Sequence, residues 1–200
     1  MSGSLPKIYL ARHGETEWSL TGQHTGVSDI PLTANGERNA RNLGERLQGM
    51  RFAKVWTSPL QRSRRTCELA GFAAQEEIDA DLVEWNYGDY EGQRTADIRK
   101  SRPDWFLFRD GCPGGESPDA IAARADRVVT RLRALDGDVL LFSHGHFLRV
   151  LGARWLGKPA SDARYLLLST AALSILGYEH NRKEPVLRLW NDDRHVFHSP

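Results

Sequence analysis

Apolar positions along the chain fall into two alternating regimes. Short, nearly continuous apolar runs at residues 8–11, 52–57 and 138–142 have the length and the β-branched or aromatic content of buried strands. Elsewhere apolar residues recur at three- and four-residue steps, as in Leu43 and Leu47 or in Ile121, Ala125, Val128, Leu132 and Leu135, which is the spacing of one helix face. Thr33 is placed to cap the first such helix, with Glu37 close behind and an end near Gly49. Ser58-Pro59-Leu60 predicts the start of a second helix, with proline in its first turn, running to Gly71. A further helix runs to about Gly157, and residues 172–178 and 185–190 read as a terminal β-hairpin around 179–184. This order predicts an α/β fold: a three-layer α/β/α sandwich with a mostly parallel central sheet. A chain of 200 residues suits a single domain, 1–200.

Two of the predicted strands end abruptly in polar triplets, Arg12-His13-Gly14 and Ser143-His144-Gly145. The C-terminal ends of strands are where such sheets build their sites, so the fold should bring the triplets together. Arg62, in Ser58-Pro59-Leu60-Gln61-Arg62, and Glu84, in Leu82-Val83-Glu84-Trp85-Asn86-Tyr87-Gly88, add a cation and a carboxyl group. Together these residues supply what phosphoryl transfer from an ester to an amine nucleophile requires: a neutral imidazole, cations on the non-bridging oxygens and an acid for the leaving alkoxide. That chemistry needs neither a metal nor a cofactor.

The rest of the composition narrows the picture. With 27 Lys and Arg against 26 Asp and Glu, the balance gives no reason to expect nucleic acid or an anionic membrane as a partner. The start, MSGSLPKIYLARHG, has no cationic region followed by a long apolar run, and no stretch reaches the length of a bilayer span, so the chain reads as soluble and cytoplasmic. Cys67 and Cys112 lie far apart and outside any metal-binding spacing, which points to two reduced thiols. A homodimer through an exposed edge strand is compatible with the pattern, but no feature requires one.

The run Arg12-His13-Gly14-Glu15-Thr16-Glu17-Trp18 resembles the hallmark of the histidine phosphatase superfamily, which includes cofactor-dependent phosphoglycerate mutases and many small acid and sugar phosphatases. The resemblance runs nearly end to end and implies a phosphoglycerate mutase-like fold. It implies His13 as nucleophile, Arg12 and Arg62 as phosphate clamps, His144 as the second histidine beside the phosphate and Glu84 as proton donor and acceptor. The physical expectations are consistent with those roles. A bond from one ring nitrogen of His13 to a backbone carbonyl, that of Gly14, would fix its tautomer. His144 would act as a protonated oxygen ligand, and Glu84, beside apolar Trp85, would have a raised pKa and an activity optimum on the acidic side of neutral.

The branch is suggested by three segments. Residues 18–26 (Trp-Ser-Leu-Thr-Gly-Gln-His-Thr-Gly), 84–92 and 105–113 look like the sedoheptulose-1,7-bisphosphatase and actinobacterial acid phosphatase branch; Ser19 stands where mutases carry asparagine. The expected activity is hydrolysis of small phosphate monoesters, sugar phosphates or similar metabolites, through a phosphohistidine, with a mutase-type phosphotransferase as the alternative. A catalytically weak module that binds phosphorylated partners is disfavoured by the complete set of five residues. Ser19, Thr25, Gly26 and Tyr87 are the candidate substrate contacts. The segment from Arg94 to Glu116 is expected to form a lid, with Trp105, Phe106 and Phe108 as its apolar wall and Arg102 or Arg109 open to a second anion. Packing in the core is the competing reading of those aromatics. Arg64 and Arg65 read as a solvated basic face, Glu15 and Glu17 as local hydrogen-bond acceptors, His24 and His146 as residues behind the site or at its rim rather than catalysts, and His180, His195 and His198 as surface histidines.

Overall fold

A computed structural model describes residues 5–197; His198 lies outside them. Strands β1 (Ile8–Arg12), β2 (Lys54–Thr57), β3 (Glu76–Ile78), β4 (Val139–Ser143), β5 (Leu173–Tyr178) and β6 (Pro185–Asp192) form one sheet in the order β3-β2-β4-β1-β5-β6. The first four in that order are parallel, and β5 and β6 join antiparallel at one edge.

Every residue of β4 is buried, and so are the first four of β1, because helices cover both faces. The two-residue period of a strand sorts their side chains between two cores. Tyr9, Ala11, Leu140 and Phe142 pack on one face with Leu43, Leu47 and Cys67 from helices α2 (Ala34–Leu47) and α3 (Gln61–Leu69), α1 being the short Glu17–Thr21. Ile8, Leu10, Val139 and Leu141 pack on the other, against two later helices. Those are α6 (Pro118–Arg133) and α7 (Gly145–Trp155), which follow two short helices, α4 (Thr95–Ser101) and α5 (Leu107–Asp110). The three-layer α/β/α architecture is therefore as the pattern predicts.

β4 inserts between β2 and β1, and this placement builds the site. Arg12 lies beside Ser143 in the parallel register, and the His13 backbone N–H donates to the Ser143 carbonyl at 2.9 Å. The two polar triplets thus leave the sheet side by side. Behind them the chain passes very close to α2: a Cβ on Gly36 would fall 2.2 Å from the Glu15 carbonyl oxygen, so only glycine admits this approach.

Thr33 caps α2 by accepting the Gly36 N–H, and Ser117 caps α6 with Pro118 just inside it. The helix expected from Pro59 begins instead at Gln61, with Leu60 at its N-cap, so proline precedes the first turn. β2 starts at Lys54 rather than at residue 52, and β6 extends to Asp192. β3 was not anticipated, because its Glu-Glu-Ile sequence at the sheet edge carries no apolar alternation. Nor was α1, whose signal is the capping box of Thr16 and Ser19. Among the described residues no helix is long and apolar enough to cross a membrane.

Candidate active site

Where β1 and β4 end, Arg12, His13 and Glu84 line a cavity of about 270 Å³. Arg62 and His144, both fully buried, stand behind its wall. The rings of His13 and His144 lie 5.2 Å apart. All five residues that the motifs singled out are therefore gathered at one place.

Each is held by its own neighbours. His13 Nδ1 lies 2.7 Å from the Gly14 carbonyl oxygen; a carbonyl only accepts, so Nδ1 carries the proton and Nε2 carries the lone pair. Burial, then Arg62 and Arg12, push the proton affinity of His13 well below the usual histidine value, so the ring is neutral. Arg12 donates through Nη1 to Leu168 O at 2.6 Å. Arg62 donates to Ser28 O at 2.8 Å and to the carbonyls of Thr25 and Gly26 at 3.0 Å. A Cβ on Gly145 would lie 3.2 Å from Arg12 Nε, so this glycine lets the guanidinium lie flat against the start of α7.

Burial, then Arg62, His13 and Arg12, lower the proton affinity of His144 well below the usual histidine range. Its Nε2 lies 2.7 Å from Ser58 Oγ; with that hydroxyl donating, Nδ1 bears the hydrogen. Among the described residues, His144 Nδ1, Arg12 Nε and Arg62 Nε are buried and have no protein partner. An unpaired buried donor costs roughly 1–3 kcal/mol, and three around one histidine mark a site built for an oxyanion.

Glu84 sits at the start of α7. Its Oε1 accepts the backbone N–H groups of Phe147 at 2.8 Å and Trp85 at 2.9 Å, and Oε2 accepts that of His146 at 3.0 Å. These donors fix both carboxyl oxygens against the first turn of α7. The backbone carrying Glu84 is pinned by Arg124 of α6, which donates to the carbonyls of Val83 at 2.6 Å and Glu84 at 3.1 Å and pairs with Glu116 at 2.7 Å. An arginine set among Ile121, Ala125 and Val128 on a buried helix face was the sequence signal for this brace.

The candidate substrate contacts divide. Thr25 and Tyr87 line the cavity, and Tyr87 Oη lies 2.6 Å from His146 Nδ1. Ser19 also lines it, but its hydroxyl is spent on Thr16, donating to the carbonyl at 2.8 Å and accepting the N–H at 2.9 Å. Gly26 does not reach the wall; its N–H goes to Glu91 at 2.8 Å and its carbonyl to Arg62, so it positions the guanidinium. His24 and His146 line the cavity as well. Burial lowers both, His24 to about 4.

The lid expected over residues 94–116 is not where it was placed. Trp105 and Phe108 are core residues: Trp105 packs edge-on to Tyr90 and His24, and Phe108 to Trp85 and His146. Arg102 donates to Tyr90 Oη at 3.0 Å and Arg109 pairs with Asp110 at 2.8 Å, both outside the cavity. Only Thr95 of this segment reaches the wall, which besides Arg12 holds a second cation, Arg149 of α7, that the motifs do not single out. Glu15 accepts from Thr33 and Asn35, and Arg64 and Arg65 pair with surface carboxylates. His180 is exposed, but His195 is half-buried, its Nε2 donating to Ala171 O at 2.8 Å. Cys67 and Cys112 are free and buried, and burial pushes both thiols up to about 12, far from reactive thiolates.

The model of the histidine phosphatase superfamily (branch 1) matches residues 8–193. The chain belongs to that superfamily. It is 39% identical over 182 residues to an acid phosphatase of Mycobacterium tuberculosis, covering 89% of each chain. It is 36% identical to the sedoheptulose 1,7-bisphosphatase of Saccharomyces cerevisiae, covering 78% of this chain and 70% of that one. A probable phosphoglycerate mutase of Photorhabdus laumondii is 35% identical, with 88% and 86% covered. The solved structure of the Rv3214 product of M. tuberculosis superposes with a TM-score of 0.88 at 38% identity, covering 94% and 97% of the two chains. As a histidine phosphatase, the protein is a phosphoric monoester hydrolase.

The depressed histidines give this histidine phosphatase an acid sensitivity with a defined sign. Unfolded, His13, His24, His144 and His146 take up protons below about pH 6.5; folded, they do so only at lower pH, about 4 for His24. Their contribution to stability is complete above pH 6.5 and is lost as pH falls from there toward the folded values, by up to about 1.4 kcal/mol per pH unit for each group. Thermal unfolding midpoints should therefore decline from pH 6.5 to 4, and His24→Gln should flatten the decline. A midpoint independent of pH across that window would contradict the assignment.

Proposed function

We propose that the protein hydrolyses small phosphate monoesters, sugar phosphates or similar metabolites, through a phosphohistidine on His13. The observation that carries this reading is a neutral His13, its Nδ1 committed to Gly14, set beside three buried donors without protein acceptors. In the first step the Nε2 lone pair attacks phosphorus while the guanidiniums of Arg12 and Arg62 and the His144 Nδ1–H take the non-bridging oxygens. The ester P–O bond breaks, and the leaving oxygen takes its proton from Glu84. In the second step Glu84 takes a proton from water, the hydroxide attacks phosphorus, and the P–N bond returns its electron pair to Nε2. Oε2 of Glu84, with one N–H partner where Oε1 has two, is the oxygen suited to carry that proton.

The cavity volume of about 270 Å³ is at the small end for ligand sites, which suits a metabolite better than a phosphorylated side chain on a protein. Burial and two arginines keep the His13 lone pair free in mildly acidic solution, which supports an optimum on the acidic side of neutral. No step needs a metal, and the near-neutral composition with two buried thiols suits the cytoplasm. Phosphate release from a panel of sugar phosphates and phosphoglycerates, by the wild type and by His13→Ala, tests the reading. Conversion of 3-phosphoglycerate to its 2-isomer that depends on 2,3-bisphosphoglycerate would favour the mutase alternative.

A further inference from the structure

Arg62 owes its orientation to three backbone carbonyls of one loop. Its Nη1 donates to Ser28 O at 2.8 Å and its Nη2 to Thr25 O and Gly26 O at 3.0 Å. A carboxylate that the two-step chemistry leaves unused holds the same loop from the other side: Glu91 Oε1 accepts the N–H groups of Gly26 at 2.8 Å and Ser28 at 3.0 Å. The Gly26 N–H and the Thr25 carbonyl belong to one trans, planar peptide unit and point in opposite directions. Glu91 and Arg62 therefore grip that unit from its two ends, in a chain where each hydrogen bond polarises the next. Gly26 is pressed against the carboxylate, since a Cβ there would fall 2.7 Å from Glu91 Oε2 and 2.5 Å from Trp85 O. Oε2 is buried and has no protein partner among the described residues, so the hold on the loop runs through Oε1. Glu91 does not line the cavity, which leaves Arg62 as its route to the chemistry.

We propose that Glu91 is a positioning residue for phosphoryl transfer: by holding the Gly26 and Ser28 N–H groups it fixes the three carbonyls that aim the Arg62 guanidinium at the non-bridging oxygens. This inference rests on the phosphatase reading of the same site. A guanidinium is a rigid planar fork, so its value as a clamp depends on its orientation. The carbonyls take donors on both Nη atoms and leave Nε, buried and without a protein partner, for an oxygen of the phosphate. The ends of the loop are anchored without Glu91. The His24 N–H donates to Gln93 O and the Gly92 N–H to His24 O, both at 2.9 Å, and the Gln61 N–H donates to Asp29 Oδ1 at 2.7 Å. Loss of the carboxylate should therefore release residues 25–28 and leave the chain folded.

The test is a double-mutant cycle on kcat/KM for p-nitrophenyl phosphate, with E91A, R62A and the double variant. E91A should lower kcat/KM by about 10- to 100-fold, the scale for a misplaced catalytic group. In the R62A background, where no guanidinium is left to aim, the same substitution should cost less than about threefold. Equal losses in the two backgrounds would assign Glu91 to the fold rather than to Arg62 and overturn the inference, as would a loss under about twofold in a folded E91A. E91Q keeps an oxygen acceptor for the two N–H groups and gives up the stronger charged bonds, so its loss should be smaller, about three- to tenfold. If E91A does not fold, E91Q takes its place in the cycle, and a loss that is absent or equal in both backgrounds overturns the inference. If the wild type turns over no ester, the phosphatase reading fails. Calorimetric affinity for inorganic phosphate then still reads the role of Glu91: a weakening of about tenfold in E91A supports it and equal affinity overturns it.

Discussion

His13→Ala is expected to lose phosphate release from every monoester, with kcat lower by about 10⁴-fold or more. On the proposed mechanism the alanine removes the lone pair that attacks phosphorus, while Arg12, Arg62 and His144 remain to bind the oxyanion, so substrate affinity should survive the loss of turnover. Water cannot replace the imidazole, because without a bond to phosphorus the reaction is again a single displacement by a weak, unpositioned nucleophile. Steady-state phosphate release, with an unfolding midpoint to show that the variant is folded, measures this. Retention of more than a tenth of the wild-type rate would mean that water attacks the ester directly and that His13 serves another purpose.

Glu84→Gln should be almost as damaging, but selectively. For alkyl phosphates, whose alkoxide must be protonated as it leaves, kcat should drop by about 10²- to 10⁴-fold. For p-nitrophenyl phosphate, whose phenolate needs no proton, formation of the phosphoenzyme should survive and its hydrolysis should become limiting. That predicts a rapid release of one equivalent of nitrophenol followed by a slow phase. The same substitution has a structural cost. The carboxylate accepts N–H groups on both oxygens, and glutamine would turn an NH₂ toward one or two of them. Unfolding in urea should show a loss of about 1–3 kcal/mol. Equal losses on both ester types, with no burst, would remove Glu84 from the leaving-group step.

The parts of the molecule legible in the sequence were those whose local pattern and tertiary role coincide. The strand ending in Arg12-His13 and the strand ending in Ser143-His144 are buried runs with polar ends, and neighbouring strands bring those ends together. The Gly14 carbonyl as partner of His13 follows from the same geometry, since it lies one residue away. What escaped depends on contacts between distant segments. Trp105 and Phe108 form an aromatic cluster whether they wall a pocket or fill a core, and composition cannot tell those apart; their partners Tyr90 and Trp85 decide for the core. Arg149 was hidden in Phe147-Leu148-Arg149-Val150-Leu151, where a cation among buried apolar neighbours has to reach solvent or a cavity. His195 looked like a surface residue until β6 carried it back to Ala171, whose N–H in turn donates to the His13 carbonyl.

The charge of His144 illustrates a different limit. A histidine beside a phosphate is readily assumed to be a cation, but burial next to two guanidiniums makes a third positive charge expensive. On the proposed mechanism the arginines supply the charge, and the histidine supplies one oriented N–H.

The central claim is that the phosphoryl group passes through His13, and trapping the intermediate tests it most directly. The protein is mixed with a ³²P-labelled monoester, quenched in alkali, where phosphohistidine persists, and the labelled peptide is mapped by mass spectrometry. The account predicts up to one phosphoryl group per chain, on His13, labile to acid and absent from His13→Ala. Turnover with no labelled protein at any quench time, or label on a different residue, would contradict it.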